Sequence, residues 1–114
     1  FIYVKDLVRG FYAVANIKQN GEVFNIGSGK PVTVNKIANL IGGKKIFINK
    51  RPGEPEITHA SIKKIKSFTT WKPEVNIVQG VHVMLNNINS WKKSVLWNKN
   101  KIRIATKLWF KKLK

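Results

Sequence analysis

The chain contains no cysteine, which excludes a disulfide scaffold, a thiol nucleophile and any thiolate metal site. Two histidines and five acidic residues are too few for a convincing metal cluster. No apolar run approaches the roughly 20 residues that a membrane helix requires. No signal peptide is visible, and the cytoplasm is the expected compartment. What remains is ordinary in bulk: 114 residues allow one domain rather than two, with one modest core. Hydrophobic residues at 43% and aromatics at 11% argue against wholesale disorder.

Acid is scarce against base. Twenty-two Lys and Arg against five Asp and Glu leave a net charge of +17, and from Val75 to the end there is not one acid. Such a balance suits a nucleic-acid or anionic-membrane partner. The same bias toward lysine, asparagine and isoleucine also arises from an AT-rich coding sequence with no binding role, so both readings stay open. The first residue is Phe1 rather than Met, and the sequence reads like a piece of something longer.

Along the chain, Phe1–Val4 is apolar and β-prone. Asp6 is placed to cap a helix carrying Leu7, Phe11 and Ala15 at helical spacing. Asn20-Gly21 is a turn, and Glu22–Ile26 reads as a short strand broken by Gly27-Ser28-Gly29-Lys30-Pro31. Thr33 caps a second helix with Val34, Ile37 and Ile41 on one face, ended by Gly42-Gly43. Lys45–Asn49 looks like another strand. Two prolines and a glycine make Arg51–Pro55 a loop. Ser61 caps a short helix carrying Ile62, Ile65 and Phe68, closed by Trp71-Lys72-Pro73. From Val78 the pattern is helical again, with Val81, Leu85 and Ile88 on one stripe and Trp91 just beyond. Asn98–Lys114 forms a last helix, with Ile102, Ala105 and Trp109 at helical steps. Of the four tryptophans, three follow or end helical stripes and are assigned to the core. The tail pattern Trp97…Trp109-Phe110 among lysines also suits an anionic membrane surface, though packing is favoured. The fold class expected is mixed α/β, with short strands and short helices alternating.

Three loop residues carry candidate chemistry. The Gly27–Pro31 loop lies between a strand and a helix, where backbone N–H groups can face phosphate, but the third glycine of Gly-x-Gly-x-x-Gly is absent and a tight turn explains it. Asn25 ends the strand, where an Asn more often satisfies backbone than ligand. Arg51 sits at a strand end in a proline-stiffened loop, where a guanidinium can grip a phosphate with two parallel hydrogen bonds. Glu54, three residues on, can accept from sugar hydroxyls; equally, the two can form a surface ion pair worth under about 1 kcal/mol. His59 and His82 have no acid partner in sight, and no nucleophile–base–orienter set can be assembled.

Together the motifs resemble one family. Phe1-Ile2-Tyr3-Val4-Lys5-Asp6 is similar to the Phe-Ile-Tyr-Val-x-Asp segment of the NAD-dependent sugar-nucleotide epimerases and dehydratases, the extended short-chain dehydrogenases/reductases. Glu22–Gly29 resembles their Gly-Glu-Val-Tyr/Phe-Asn-Ile-Gly-Ser/Gly run, Arg51-Pro52-Gly53-Glu54 their Arg-Pro-Gly-Asp/Glu loop, and Ser61–Pro73 their Asp-x-Ser-Lys-Ala-x-x-x-Leu-Gly-Trp-Lys-Pro element. Order and spacing agree from Phe1 to about Met84. Departures fall on scaffolding: Thr69-Thr70-Trp71 stands for Leu-Gly-Trp, Ser61 for the usual Asp, and Lys36 where a Glu often completes a capping box.

The resemblance implies that the chain is the C-terminal substrate-binding lobe of an extended Rossmann-type epimerase (residues 1–90), followed by a basic, Trp-containing helical extension (91–114). It implies NAD bound by an N-terminal half absent from this chain, since neither the glycine fingerprint nor the catalytic Tyr-x-x-x-Lys motif is present. Arg51 inherits contact with the substrate diphosphate, Asn25 contact with its nucleotide side, and Glu54 a place near the ribose hydroxyls; no catalytic residue is expected here. The implied activity is that of a sugar-nucleotide 4-epimerase of the UDP-glucose 4-epimerase type, working through a 4-keto intermediate, in polysaccharide biosynthesis. A 4,6-dehydratase or decarboxylase of the same family is the alternative, and a basic nucleic-acid- or membrane-binding module is the alternative of another class. The partners implied are a nucleotide-sugar substrate and a second copy in a homodimer of the complete enzyme. No specific nucleic acid is expected, and the basic tail could make a weak peripheral membrane contact. Alone, the piece is expected to fold poorly and to be inactive.

Overall fold

Apolar residues recurring at three- and four-residue steps determine which segments coil. The computed structural model describes residues 1–112. These hold α1 (Val4–Ala15), α2 (Val34–Ile41), α3 (Lys63–Phe68), α4 (Ile77–Asn86) and α5 (Lys99–Lys112), with a 3-10 turn at Ile88–Trp91. The expected last helix thus forms; its residues 113–114 lie outside the described residues. Thr33 caps α2 as expected, its hydroxyl accepting from the Lys36 N–H at 3.1 Å. Gly42 terminates that helix at φ 82°, a conformation glycine adopts without steric cost. At α4 the Asn76 side chain accepts from the Gln79 N–H while Gln79 accepts from the Asn76 N–H, a reciprocal capping box.

Asp6 does not cap α1. The helix begins earlier, at Val4, with Tyr3 flanking it and no side-chain cap. The Asp6 carboxylate, 0% exposed, instead reaches the segment before α4. Its Oδ2 accepts from the Val75 N–H at 2.9 Å and the Glu74 N–H at 3.1 Å, and its Oδ1 accepts from Arg9. The same residue's carbonyl accepts from Trp71 Nε1–H at 3.0 Å. Arg9 continues to Glu74 at 2.6 Å, closing a ring of charge around the joint. A buried carboxylate is tolerated because its oxygens are matched by donors and a guanidinium.

Around this joint lies the small core of Ile65, Trp71 and Val81. α1 approaches it through Gly10: a Cβ there would stand 2.8 Å from Ile26 Cγ2 and 3.3 Å from Trp71 Cε2. Phe24 meets Phe68 of α3 edge-on, ring centroids 5.4 Å apart. The segment Glu22–Ile26 is therefore held between α1 and α3, and α2 packs on α4.

Three further expectations are corrected. Ser61 does not cap α3, which starts at Lys63 behind Ile62 with no side-chain cap. Of the tryptophans only Trp71 is core, at 6% exposure; Trp91 and Trp97 stand well out, and Trp109 is part-covered and outside the core. A helical stripe says which residues share a face and not which face is covered. Finally, Glu22–Ile26 and Lys45–Asn49 are extended, but no strand exists among the described residues. An extended segment becomes a strand only by exchanging N–H···O bonds with a neighbour, and none does so here. Val4 joins α1, leaving only Phe1–Tyr3 before it.

Candidate functional site

Two places gather the candidate residues. The first is a hollow of about 390 Å³ lined by Phe1, Ile2, the run Asn25–Lys30, and Thr58, His59 and Ala60. Its wall is a loop pressed on its neighbour. A Cβ on Gly27 would meet Ala60 Cβ at 2.8 Å, and one on Gly29 would meet Ile62 Cδ1 at 2.7 Å. His59 Nε2 lies 3.0 Å from the Gly29 carbonyl oxygen, and Ser28 Oγ donates to the Lys30 carbonyl at 2.9 Å. These two glycines let the loop press on the segment Ala60–Ile62. The loop lacks the third glycine of a dinucleotide fingerprint. Asn25 stands exposed at the mouth of the hollow, joined by Lys30, Thr58 and His59. Spacing alone does not flag these three; the signal is the packing of residues 58–62 on the glycine loop.

The second place is the loop Lys50–Glu56. Arg51-Pro52-Gly53-Glu54 is a tight turn closed by the Glu54 N–H on the Arg51 carbonyl at 3.3 Å, with Gly53 at φ 72°. Proline second and a positive-φ glycine third are the signature of a type II turn. Across it, Arg51 Nε donates to Glu54 Oε2 at 2.9 Å and Nη2 to Oε1 at 2.5 Å. Outside this pair, Lys50 meets Glu56 at 2.5 Å. The hydrogen bonds from Arg51 hold the Glu54 carboxyl below the ordinary glutamate range, and Glu54 raises Arg51 in turn.

A third partner comes from the far end of the chain. The Trp109 ring of α5 lies beneath the guanidinium, 4.9 Å from Arg51 Cζ to the ring centroid, and Trp109 Nε1 donates to the Pro52 carbonyl at 2.7 Å. One side chain thus holds both the face of the cation and the backbone of its turn. Stacking uses the guanidinium face and leaves its edges for in-plane hydrogen bonds. No sequence signal joins positions 57 residues apart, so this contact is visible only in the fold.

Arg51 and Glu54 form one unit, Asn25 belongs to another, and the hollow that Asn25 lines does not include Arg51. Among the described residues no group of three or more His, Cys, Asp or Glu could hold a metal ion.

Comparison with known proteins gives the chain its relatives. It is 32% identical over 112 residues, 91% of its length, to a UDP-glucuronate 4-epimerase of Thermodesulfobacterium geofontis. It is 29% identical over 97 residues to a dTDP-4-dehydro-6-deoxyglucose reductase of Escherichia coli, covering 77% of this chain. It is 30% identical over 88 residues to UDP-glucuronic acid decarboxylase 1 of Xenopus tropicalis, covering 72%. The chain spans 31%, 30% and 21% of the length of these three proteins. No family model matches it, and no solved structure matches it.

Proposed function

Because the chain belongs to the nucleotide-sugar epimerase and dehydratase family, we propose that it supplies the part of such an enzyme that grips the substrate's nucleotide diphosphate, with Arg51 as the principal phosphate contact. The observation that carries this is the fixed guanidinium: its face is stacked on Trp109 and its Nε–Nη2 edge is held by Glu54. A phosphate is received on the remaining Nη1–Nη2 edge, where a preset cation binds without first losing its rotamer freedom. Glu54 then orients Arg51, and it reaches a ribose hydroxyl only by releasing the arginine. Asn25, at the mouth of its own hollow, takes the nucleotide side of the substrate.

The reaction proposed for the complete enzyme is inversion at C4 of the sugar through a 4-keto intermediate, as in UDP-glucose 4-epimerases. Dehydration or decarboxylation is the alternative outcome, and the named relatives include a decarboxylase. Binding energy gathered at the diphosphate positions the distant sugar carbon. NAD and the catalytic tyrosine belong to residues beyond this chain, as does the second subunit of a homodimer. The α/β lobe is completed in the same way, the exposed apolar residues of Glu22–Ile26 and Lys45–Asn49 pairing with a sheet supplied from outside.

The test is Arg51→Ala in the complete enzyme, with nucleotide-sugar affinity read by calorimetry. Loss of a charge-assisted bidentate contact weakens binding by about ten- to a hundredfold. Arg51→Lys recovers little, because an ammonium is a single point of charge. Unchanged affinity in Arg51→Ala rejects the assignment.

A further inference from the structure

α5 has two unlike faces. Ile102, Thr106 and Phe110 are partly covered, and Trp109, the same side of the helix, is docked on the Arg51 turn. Opposite them Ile104 and Leu108, one turn apart, stand 64% and 66% exposed. Three or four residues from one or other of these lie Lys101, Lys107, Lys111 and Lys112, which the helical step places around the same apolar pair. Ahead of the helix Leu96 and Trp97 are exposed as well, Trp97 at 65%. Nothing in the described structure covers this surface.

Charge decides its occupant. Each of the five acidic side chains is already committed to a cation: Asp6 and Glu74 to Arg9, Glu22 to Lys64, Glu54 to Arg51 and Glu56 to Lys50. None lies beyond Glu74, so the lysines of α5 have no carboxylate near them in sequence. A face that joins exposed Leu, Ile and Trp to a rim of lysine matches an anionic lipid surface, where apolar side chains enter the acyl boundary and ammonium groups meet headgroups. A nucleic acid would use the lysines and leave Ile104 and Leu108 in water. No helix among the described residues is long and apolar enough to cross a membrane, which limits the contact to the interface.

We propose that the outward face of α5, with Leu96 and Trp97, is a peripheral docking surface for anionic membrane. Because Trp109 ties the opposite face to the Arg51 turn, a docked helix holds that turn beside the lipid surface. The proposal does not depend on what Arg51 binds.

The test is co-sedimentation of the full protein with vesicles of an equal mixture of phosphatidylcholine and phosphatidylglycerol, beside vesicles of phosphatidylcholine alone. Binding is expected to the first and not the second. The double variant Ile104→Ser with Leu108→Ser keeps every charge and is expected to lower partitioning by at least about tenfold. Lys107→Glu with Lys111→Glu is expected to do the same, and both pairs sit at exposed positions where the far-UV spectrum reports an intact fold. Three results each overturn the proposal: no sedimentation with the anionic vesicles at low salt, wild-type binding by the serine variant, or release from vesicles by a DNA duplex that the protein binds more tightly.

Discussion

Replacing Asp6 by alanine is expected to be the most damaging single change in the chain. Its carboxylate is fully buried and accepts two backbone N–H bonds, from Glu74 and Val75, besides the contact with Arg9. A hydrogen bond to a charged group contributes about 1.5–3 kcal/mol. The Arg9 leg is discounted, because Arg9 and Glu74 are both about half exposed and water replaces what they lose. The backbone donors are part-buried, so the lower end of the range applies to each, and the sum is about 3 kcal/mol. A small domain is stable by only about 5–15 kcal/mol in total. With a urea slope near 1–1.5 kcal/mol per molar, the midpoint followed by far-UV circular dichroism falls by about 2–3 M. Asp6→Asn retains an oxygen for the two N–H groups but turns an amide donor toward Arg9, so its midpoint lies between alanine and wild type. A shift below about 0.5 M for alanine, or an asparagine variant as unstable as alanine, refutes the reasoning.

Gly10→Ala gains helix propensity of about 1 kcal/mol but drives a methyl to 2.8 Å from Ile26 Cγ2, and overpacking of this kind costs about 1–3 kcal/mol; a net loss in thermal midpoint is expected, and a rise contradicts the close approach of α1. The Glu54 carboxyl is expected to titrate below the ordinary glutamate range by NMR, and to return to it in Arg51→Ala. Since its folded pKa is lowered, the Arg51–Glu54 pair stabilises the loop fully above the unfolded value and is lost as pH falls through the folded one. Trp109→Ala removes the stack and the hydrogen bond to Pro52; nucleotide-sugar affinity in the complete enzyme is expected to fall severalfold, with Trp109→Phe intermediate because the ring remains and the N–H does not.

Much of the helical framework was legible because its causes are local. Thr33 and Gly42 bracket α2 from within a few residues, and the stripes of α1, α4 and α5 repeat at the helical step. What escaped was set by partners distant in sequence. Asp6 looks like a cap to its neighbours, and only the fold shows Glu74 and Val75 beside it. The tryptophan stripes were visible, but burial needs a surrounding core, and only Trp71 found one, while Trp109 found a single turn to rest on. Segments 22–26 and 45–49 carry strand-like residues without the neighbour that would make them strands. The Arg51–Glu54 pair was legible as one of two readings, whereas the Trp109 beneath it was not. Asn25 and Arg51 are joined by family resemblance alone; Arg51 is not among the residues lining the hollow that Asn25 borders.

The joint at Asp6 also orders events during synthesis. Its Oδ2 meets donors 68 and 69 positions later, so a nascent chain that has coiled α1 holds the Asp6 carboxylate against Arg9 alone until residues 74 and 75 have left the ribosome. Closing so long a loop is slow compared with coiling. During that interval the early segment is exposed to chaperones and proteases, and a pause in translation shortly before residue 74 prolongs the exposure.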